Sequence, residues 1–161
     1  MDKNKSYTVD EALTRMQSYC AYRDRCHMEV ENKLREMRMI PQACEVIITK
    51  LIEDNFLNET RFAQSFTRGK FRIKHWGKTR IIRELKQRQI GDYIIKKALK
   101  EINENDYVET FHQLADKRLK QLEKDTDYHK KRRRFISYLQ YRGWESNLIF
   151  EKWHDYNRNK E

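Results

Sequence analysis

Three stretches of this chain carry the same apolar spacing. From Leu34, apolar or small residues fall at Met39, Ala43, Cys44, Ile47, Ile48 and Leu51. The same offsets from Leu85 reach Ile90, Ile94, Ile95, Ala98, Leu99 and Ile102. From Leu139 they reach Trp144, Leu148, Ile149, Lys152, Trp153 and Tyr156. Twenty of these 21 positions are apolar or small. Lys152 is the exception, and its aliphatic stem can still pack. A gap-free match in three places restricts the chain to a repeat architecture.

The spacing within each stretch is helical. Val30 and Leu34, Ile81 and Leu85, and Phe135 and Leu139 are i,i+4 pairs leading into each anchor leucine. A break follows, with Pro41, Gly91 and Gly143 a few residues beyond the anchors. A second amphipathic helix comes next. Upstream of each pair lies a further helical stretch: Val9 to Arg23, Glu59 to Arg72, and Asp106 to Leu122. The chain therefore reads as three three-helix repeats, residues 1–55, 56–105 and 106–161. A unit this small buries its apolar face poorly alone, so neighbours should stack. The fold class expected is all-α: three tandem three-helix repeats forming an elongated, curved helical array.

Composition agrees. Four Gly and one Pro are too few for the turns of an all-β protein. Seven Phe, nine Tyr and three Trp argue against wholesale disorder. No apolar run approaches the ~20 residues of a membrane-spanning helix. Residues Met1 to Asp10 are polar, without the apolar core of a secretory signal. The chain is expected in the cytoplasm, as a monomer.

Charge is unevenly placed. The net charge is +10. Residues 1–67 are nearly balanced, with 10 basic and 11 acidic side chains. Residues 68–88 carry nine basic side chains against one acidic, and residues 117–134 carry nine against three. Two blocks thus supply more than the whole excess, which points to a polyanionic partner. The first block offers Arg68, Lys70, Arg72, Lys74, Lys78, Arg80 and Arg83 as candidate binding residues, and the second offers Lys130, Lys131, Arg132, Arg133 and Arg134. By helical phase Arg80, Arg83 and Arg134 point away from the core. Arg80 and Arg134 occupy matched repeat positions, whose counterpart in repeat one is Glu29. The alternative is a solvated helix face.

Trp76 and Gly77 lie inside the first block. An aromatic residue beside a helix start commonly packs, so Trp76 is assigned to closing the apolar end of its repeat. The alternative is stacking on a base or a partner's side chain. Trp144 and Trp153 are core by their repeat positions.

Nothing in the chain has the pattern of a catalytic or metal site. Scattered glycines cannot form a phosphate loop, and no Ser sits in a nucleophile elbow. The acidic residues lie on solvated faces. Cys20, Cys26 and Cys44 form no paired pattern and read as free thiols, and Cys26 with His27 lacks the short hook of a zinc site. His75, His112, His129 and His154 form no spaced pair. The expectation is a non-enzyme without cofactor or metal.

Four segments carry a resemblance. Asn58-Glu59-Thr60-Arg61-Phe62-Ala63-Gln64-Ser65-Phe66 resembles the D-D-x-R-F-A-x-x-F segment of the bacterial RecX regulatory proteins. Trp76 to Leu85, followed by Ile90, is similar to their G-x-x-x-I-x-x-E-L middle helix. Arg23-x-Arg25 through Glu29 and Leu34 is similar to their first-repeat R-x-R-S-x-x-E-L-x-x-K-L, with Cys26 in place of Ser and Val30 in place of Leu. Arg142-Gly143-Trp144 resembles the R-G-aromatic step of their last repeat. The resemblance runs from about Thr8 to Tyr156. It implies a regulator that lies in the groove of RecA recombinase filaments on single-stranded DNA and inhibits or remodels them. RecA co-protease activity, DNA repair and the SOS response would respond. The basic residues would then meet DNA, the RecA surface or both. A second reading is a stand-alone basic helical DNA-binding protein. A third is a structural scaffold for another protein, which an apolar concave face would distinguish.

Overall fold

The computed structural model describes residues 5–159. The first four residues and the last two, counted above into repeats one and three, lie outside the described residues, as does part of the polar N-terminal stretch. The described residues form nine helices and no strand: α1 (Val9–Tyr22), α2 (His27–Glu36), α3 (Pro41–Glu53), α4 (Glu59–Lys74), α5 (Lys78–Gln87), α6 (Asp92–Leu99), α7 (Glu104–Gln121), α8 (Tyr128–Tyr141) and α9 (Ser146–Arg158). The all-helical expectation holds, and α7 begins at Glu104, two residues before the 105/106 boundary drawn from the sequence. No helix among the described residues is long and apolar enough to cross a membrane.

The repeat equivalence extends to individual hydrogen bonds. Leu34, Leu85 and Leu139 are each fully buried, at 0% exposure. Their carbonyls accept the amides of Met39 (3.1 Å), Ile90 (3.1 Å) and Trp144 (3.2 Å). The intervening amides of Arg38, Gln89 and Gly143 bond to the carbonyls of Arg35, Lys86 and Gln140. This pair of bonds is a Schellman cap, with the hydrophobic contact such caps carry placed between each leucine and its Met, Ile or Trp partner. The turning residues have φ of 60°, 60° and 86°. By sequence the breaks fall near Pro41, Gly91 and Gly143. Only Gly143 is a turning residue; in the other two repeats Arg38 and Gln89 take the left-handed conformation. Gly91 and Ile40 instead precede the next helix, where their carbonyls accept the first helical bonds, from Ile95 and Cys44. Pro41 is the first residue of α3, where its missing N–H costs nothing.

None of the 21 matched positions is fully exposed. Lys152 is half-buried and its ammonium reaches Asp116 at 2.7 Å. The third repeat departs at the start of its middle helix, because α8 begins one turn earlier relative to its leucine than α2 and α5 do.

Packing groups the chain into two units: residues through Phe66 with Leu85–Ala98, and Thr67–Glu84 with residues from Leu99 onward. The first has a core of Ala12, Met16, Cys20, Val30, Leu34, Met37, Ile47, Leu51 and Leu57. Its family-like segments are structural. Glu29 accepts the Cys26 amide at 3.0 Å and the Arg23 guanidinium at 3.0 Å, closing the start of α2. Arg61 bonds Asp24 at 2.7 Å and the carbonyls of Asn55 and Phe56, tying the start of α4 to the end of α3. The second unit is aromatic at its centre. Tyr107 and Phe111 lie 4.6 and 5.4 Å from Trp144, and Phe135 lies 5.4 Å from Trp153. Trp144 and Trp153 are buried, as their repeat positions predict.

Candidate polyanion-binding surface

All twelve candidate basic residues lie in the second unit. They fall on α4, α5 and α8, and the structure divides them into two classes.

In the first block, α5 begins against the turn between α8 and α9. The amide of Gly77 donates to the Arg142 carbonyl at 2.8 Å, and that of Thr79 to the Gly143 carbonyl at 3.0 Å. The Lys78 amide donates to the Tyr107 hydroxyl at 2.9 Å, and that hydroxyl donates to Glu145 at 2.6 Å. Three successive amides at this helix start are therefore used within the unit and are not open to a phosphate. Burial and the Glu145 carboxylate push the Tyr107 hydroxyl well above the usual tyrosine range.

The side chains of this block are also partly engaged. The Arg80 guanidinium lies 3.9 Å from the Trp76 ring centre and 4.8 Å from that of Tyr141, and donates to the Tyr141 carbonyl at 3.2 Å. The Lys70 ammonium lies 4.8 Å from the Trp76 ring centre. Trp76 is thus packed, as expected, but against cations of its own chain. Helical phase placed Arg80 on the outer side. It is instead half-buried, because the Trp76 and Tyr141 rings stack around it. Arg68 pairs with Glu101 at 3.0 Å, and Lys78 pairs with Glu104 and lies 4.5 Å from the Tyr107 ring. Arg72, Lys74 and Arg83 are exposed.

The second block divides likewise. Lys131 is only 8% exposed, with its ammonium 2.9 Å from the Tyr156 hydroxyl. It is a buried packing residue, because the phase of α8 turns it onto α9 beside Phe135. Arg134 is exposed, as its phase predicts, but both its bonds go to the Asp125 carboxylate, at 3.1 and 2.8 Å. Lys130, Arg132 and Arg133 are exposed.

Six of the twelve, Arg72, Lys74, Arg83, Lys130, Arg132 and Arg133, thus face solvent without an ion pair among the described residues. The internal roles of Tyr107, Tyr141 and Glu145 were not legible in the sequence, because their partners lie on other helices. No group of three or more His, Cys, Asp or Glu among the described residues could hold a metal. Cys20 and Cys26 are buried, and desolvation raises both thiols above their ordinary range.

Known proteins bear on this architecture. The family model for the second three-helix domain of RecX matches residues 58–99, and that for the third matches residues 104–153. Together these span more than half of the chain. The chain is 28% identical over 116 residues to the Regulatory protein RecX of Bacillus cereus (strain AH820), and equally to that of Bacillus thuringiensis (strain Al Hakam). The matched stretch is 72% of this chain and 43% of those relatives, so the chain spans less than half of their length. A crystal structure of RecX from Lactobacillus salivarius has a TM-score of 0.77 at 25% identity, covering 91% of this chain and 95% of that one. A second crystal structure, of a regulatory protein RecX, has a TM-score of 0.79 at 22% identity, covering 89% and 71%. With its second and third repeats matched domain by domain and its helical order shared with solved relatives, this chain belongs to the RecX family.

Proposed function

We propose that this protein binds RecA recombinase filaments assembled on single-stranded DNA and restrains their activity. Lower RecA ATP hydrolysis, strand exchange and co-protease activity would follow, and through them altered DNA repair and SOS signalling. The observation that carries this reading is the set of open cations that the two basic blocks leave on the second unit. Arg72, Lys74, Arg83, Lys130, Arg132 and Arg133 stand open on a fold of the RecX family. Such a surface suits a polyanion or an acidic protein face. The protein acts by binding, as a monomer in the cytoplasm, without cofactor or turnover of its own, and its cations meet DNA, RecA or both.

A binding comparison tests the reading. The protein should bind RecA–single-stranded-DNA filaments more tightly than naked DNA or free RecA, and should suppress RecA-dependent ATP hydrolysis. Equal affinity for naked DNA with no effect on the filament would instead favour a stand-alone DNA-binding protein. Nuclease, ATPase or ligase activity tracking with the pure protein would overturn the non-enzymatic assignment.

A further inference from the structure

The second basic block contains a groove that the charge pattern alone does not reveal. His129, Arg132, Arg133 and Ile136 follow one another at i, i+3, i+4 and i+7 along α8, with Ser137 beside them. Phe150 of α9 forms the facing wall, and the space between is about 410 Å³. That lies in the range of small-ligand clefts, about 300–1,000 Å³. The walls are held from behind. Phe135 and Ile149 are fully buried between the two helices, and Lys131 bonds Tyr156 across them.

Three features point to one ligand chemistry. First, no acidic side chain among the described residues lines the groove. Second, Phe150 is 43% exposed despite its size, and the Arg132 guanidinium sits 5.7 Å from its ring centre. A flat hydrocarbon ring beside a flat cation is an arrangement on which an unpaired base stacks. Third, Arg133 and Lys130 stand at the same groove, or one turn from it, without an ion pair, where a backbone phosphate would meet them. An acidic peptide would use the cations but not the paired planar faces. A duplex would offer phosphates but keep its base faces stacked.

We propose that this groove is a nucleotide subsite for single-stranded DNA. One unpaired base lies against Phe150 and the Arg132 guanidinium, and the adjoining phosphates meet Arg133 and Lys130. The inference rests on the filament reading for the identity of the strand, and adds to it a contact with the base itself.

The test uses the protein alone, without RecA. Anisotropy of a labelled oligo(dT) is compared with that of an abasic deoxyribose-phosphate oligomer of equal length and charge. Wild type should prefer the base-bearing strand by about five- to 150-fold, the range of one stacked base. Phe150→Ala and Phe150→Leu should remove that preference, and Phe150→Tyr should keep it. Arg133→Gln should weaken both strands alike. Thermal melting checks that each variant folds. Equal binding of the two strands by wild type would overturn the subsite, as would a preference that survives Phe150→Ala. Displacement of oligo(dT) by a poly-glutamate peptide at equal charge would overturn it too, making the groove a peptide dock. RecA ATPase suppression, measured on the same proteins, separates the two readings. Suppression without base preference defeats the subsite alone, and base preference without suppression defeats the filament reading alone.

Discussion

Gly77 and Gly143 meet backbone against backbone in the second unit: a Cβ on Gly77 would stand 2.3 Å from the Gly143 carbonyl oxygen. A Cβ on Gly143 would stand 2.2 Å from the Arg80 Cβ, and Gly143 also has a φ of 86°. The contact carries two hydrogen bonds, so neither backbone can withdraw without losing them. Gly77→Ala and Gly143→Ala should each lower stability by more than about 2 kcal/mol in urea unfolding. Gly69, with open space around it inside α4, provides the contrast. Gly69→Ala should raise stability by up to ~1 kcal/mol.

The three anchor leucines predict a matched set. Each is fully buried and each sits at the same position of a Schellman cap. Leu34→Ala, Leu85→Ala and Leu139→Ala should each cost about 2–5 kcal/mol, the cost of a buried leucine truncation. A variant that left the unfolding midpoint unmoved would break the equivalence of the three repeats.

Arg80 and Arg83 share one helix but differ in environment. Arg80 stacks on Trp76 and Tyr141, whereas Arg83 is exposed. Arg80→Ala should therefore cost about 1–2 kcal/mol and Arg83→Ala less than about 0.5 kcal/mol. At the matched position of repeat one, Glu29 holds the Cys26 amide. Helical phase makes Glu29 a surface residue whose reversal to Lys leaves binding unaffected. The structure makes Glu29→Lys a stability variant, with a loss of about 0.5–2 kcal/mol in the melt.

Reversing open cations tests the surface without disturbing the fold. Lys74→Glu, Arg83→Glu and Arg133→Glu each replace an exposed side chain, so each should shift stability by no more than about 0.5 kcal/mol. Filament binding by the triple variant should fall sharply and lose part of its salt dependence. Each phosphate contact removed takes ~0.7–0.9 from the slope of log affinity against log salt. An unchanged slope would leave these residues as a solvated face.

The Tyr107 hydroxyl sets a stability limit at high pH. Its folded-state pKa is raised, by burial first and the Glu145 carboxylate second. The unfolded chain therefore loses its proton first. The stabilisation is fully present below about pH 10, the ordinary tyrosine value, and declines by about 1.4 kcal/mol per pH unit above it. Urea unfolding between about pH 9 and 11.5 should show a steeper decline for wild type than for Tyr107→Phe. The variant should itself lose about 1–3 kcal/mol near neutral pH, because the Lys78 amide and Glu145 lose their partner.

The repeat, the helices and the buried leucines were legible in the sequence because they depend on spacing along one chain. Apolar residues at i, i+3, i+4 and i+7 must share a helix face wherever the helix lies. The turning residues were less legible: Arg38 and Gln89 take the left-handed conformation without a glycine to mark it. Charge sign along the chain likewise located the two basic blocks. What spacing left open is which cations remain available. Lys131 and Arg132 are neighbours in sequence, yet one reaches inward to Tyr156 and the other outward over Phe150. Arg80 lies under a tyrosine 61 positions away. Such outcomes depend on which face of another helix arrives opposite a side chain. Only the packed structure brings Tyr141 over Arg80, Asp125 to Arg134 and Phe150 to the stripe on α8, and with them separates the cations that hold the fold from those left open to a partner.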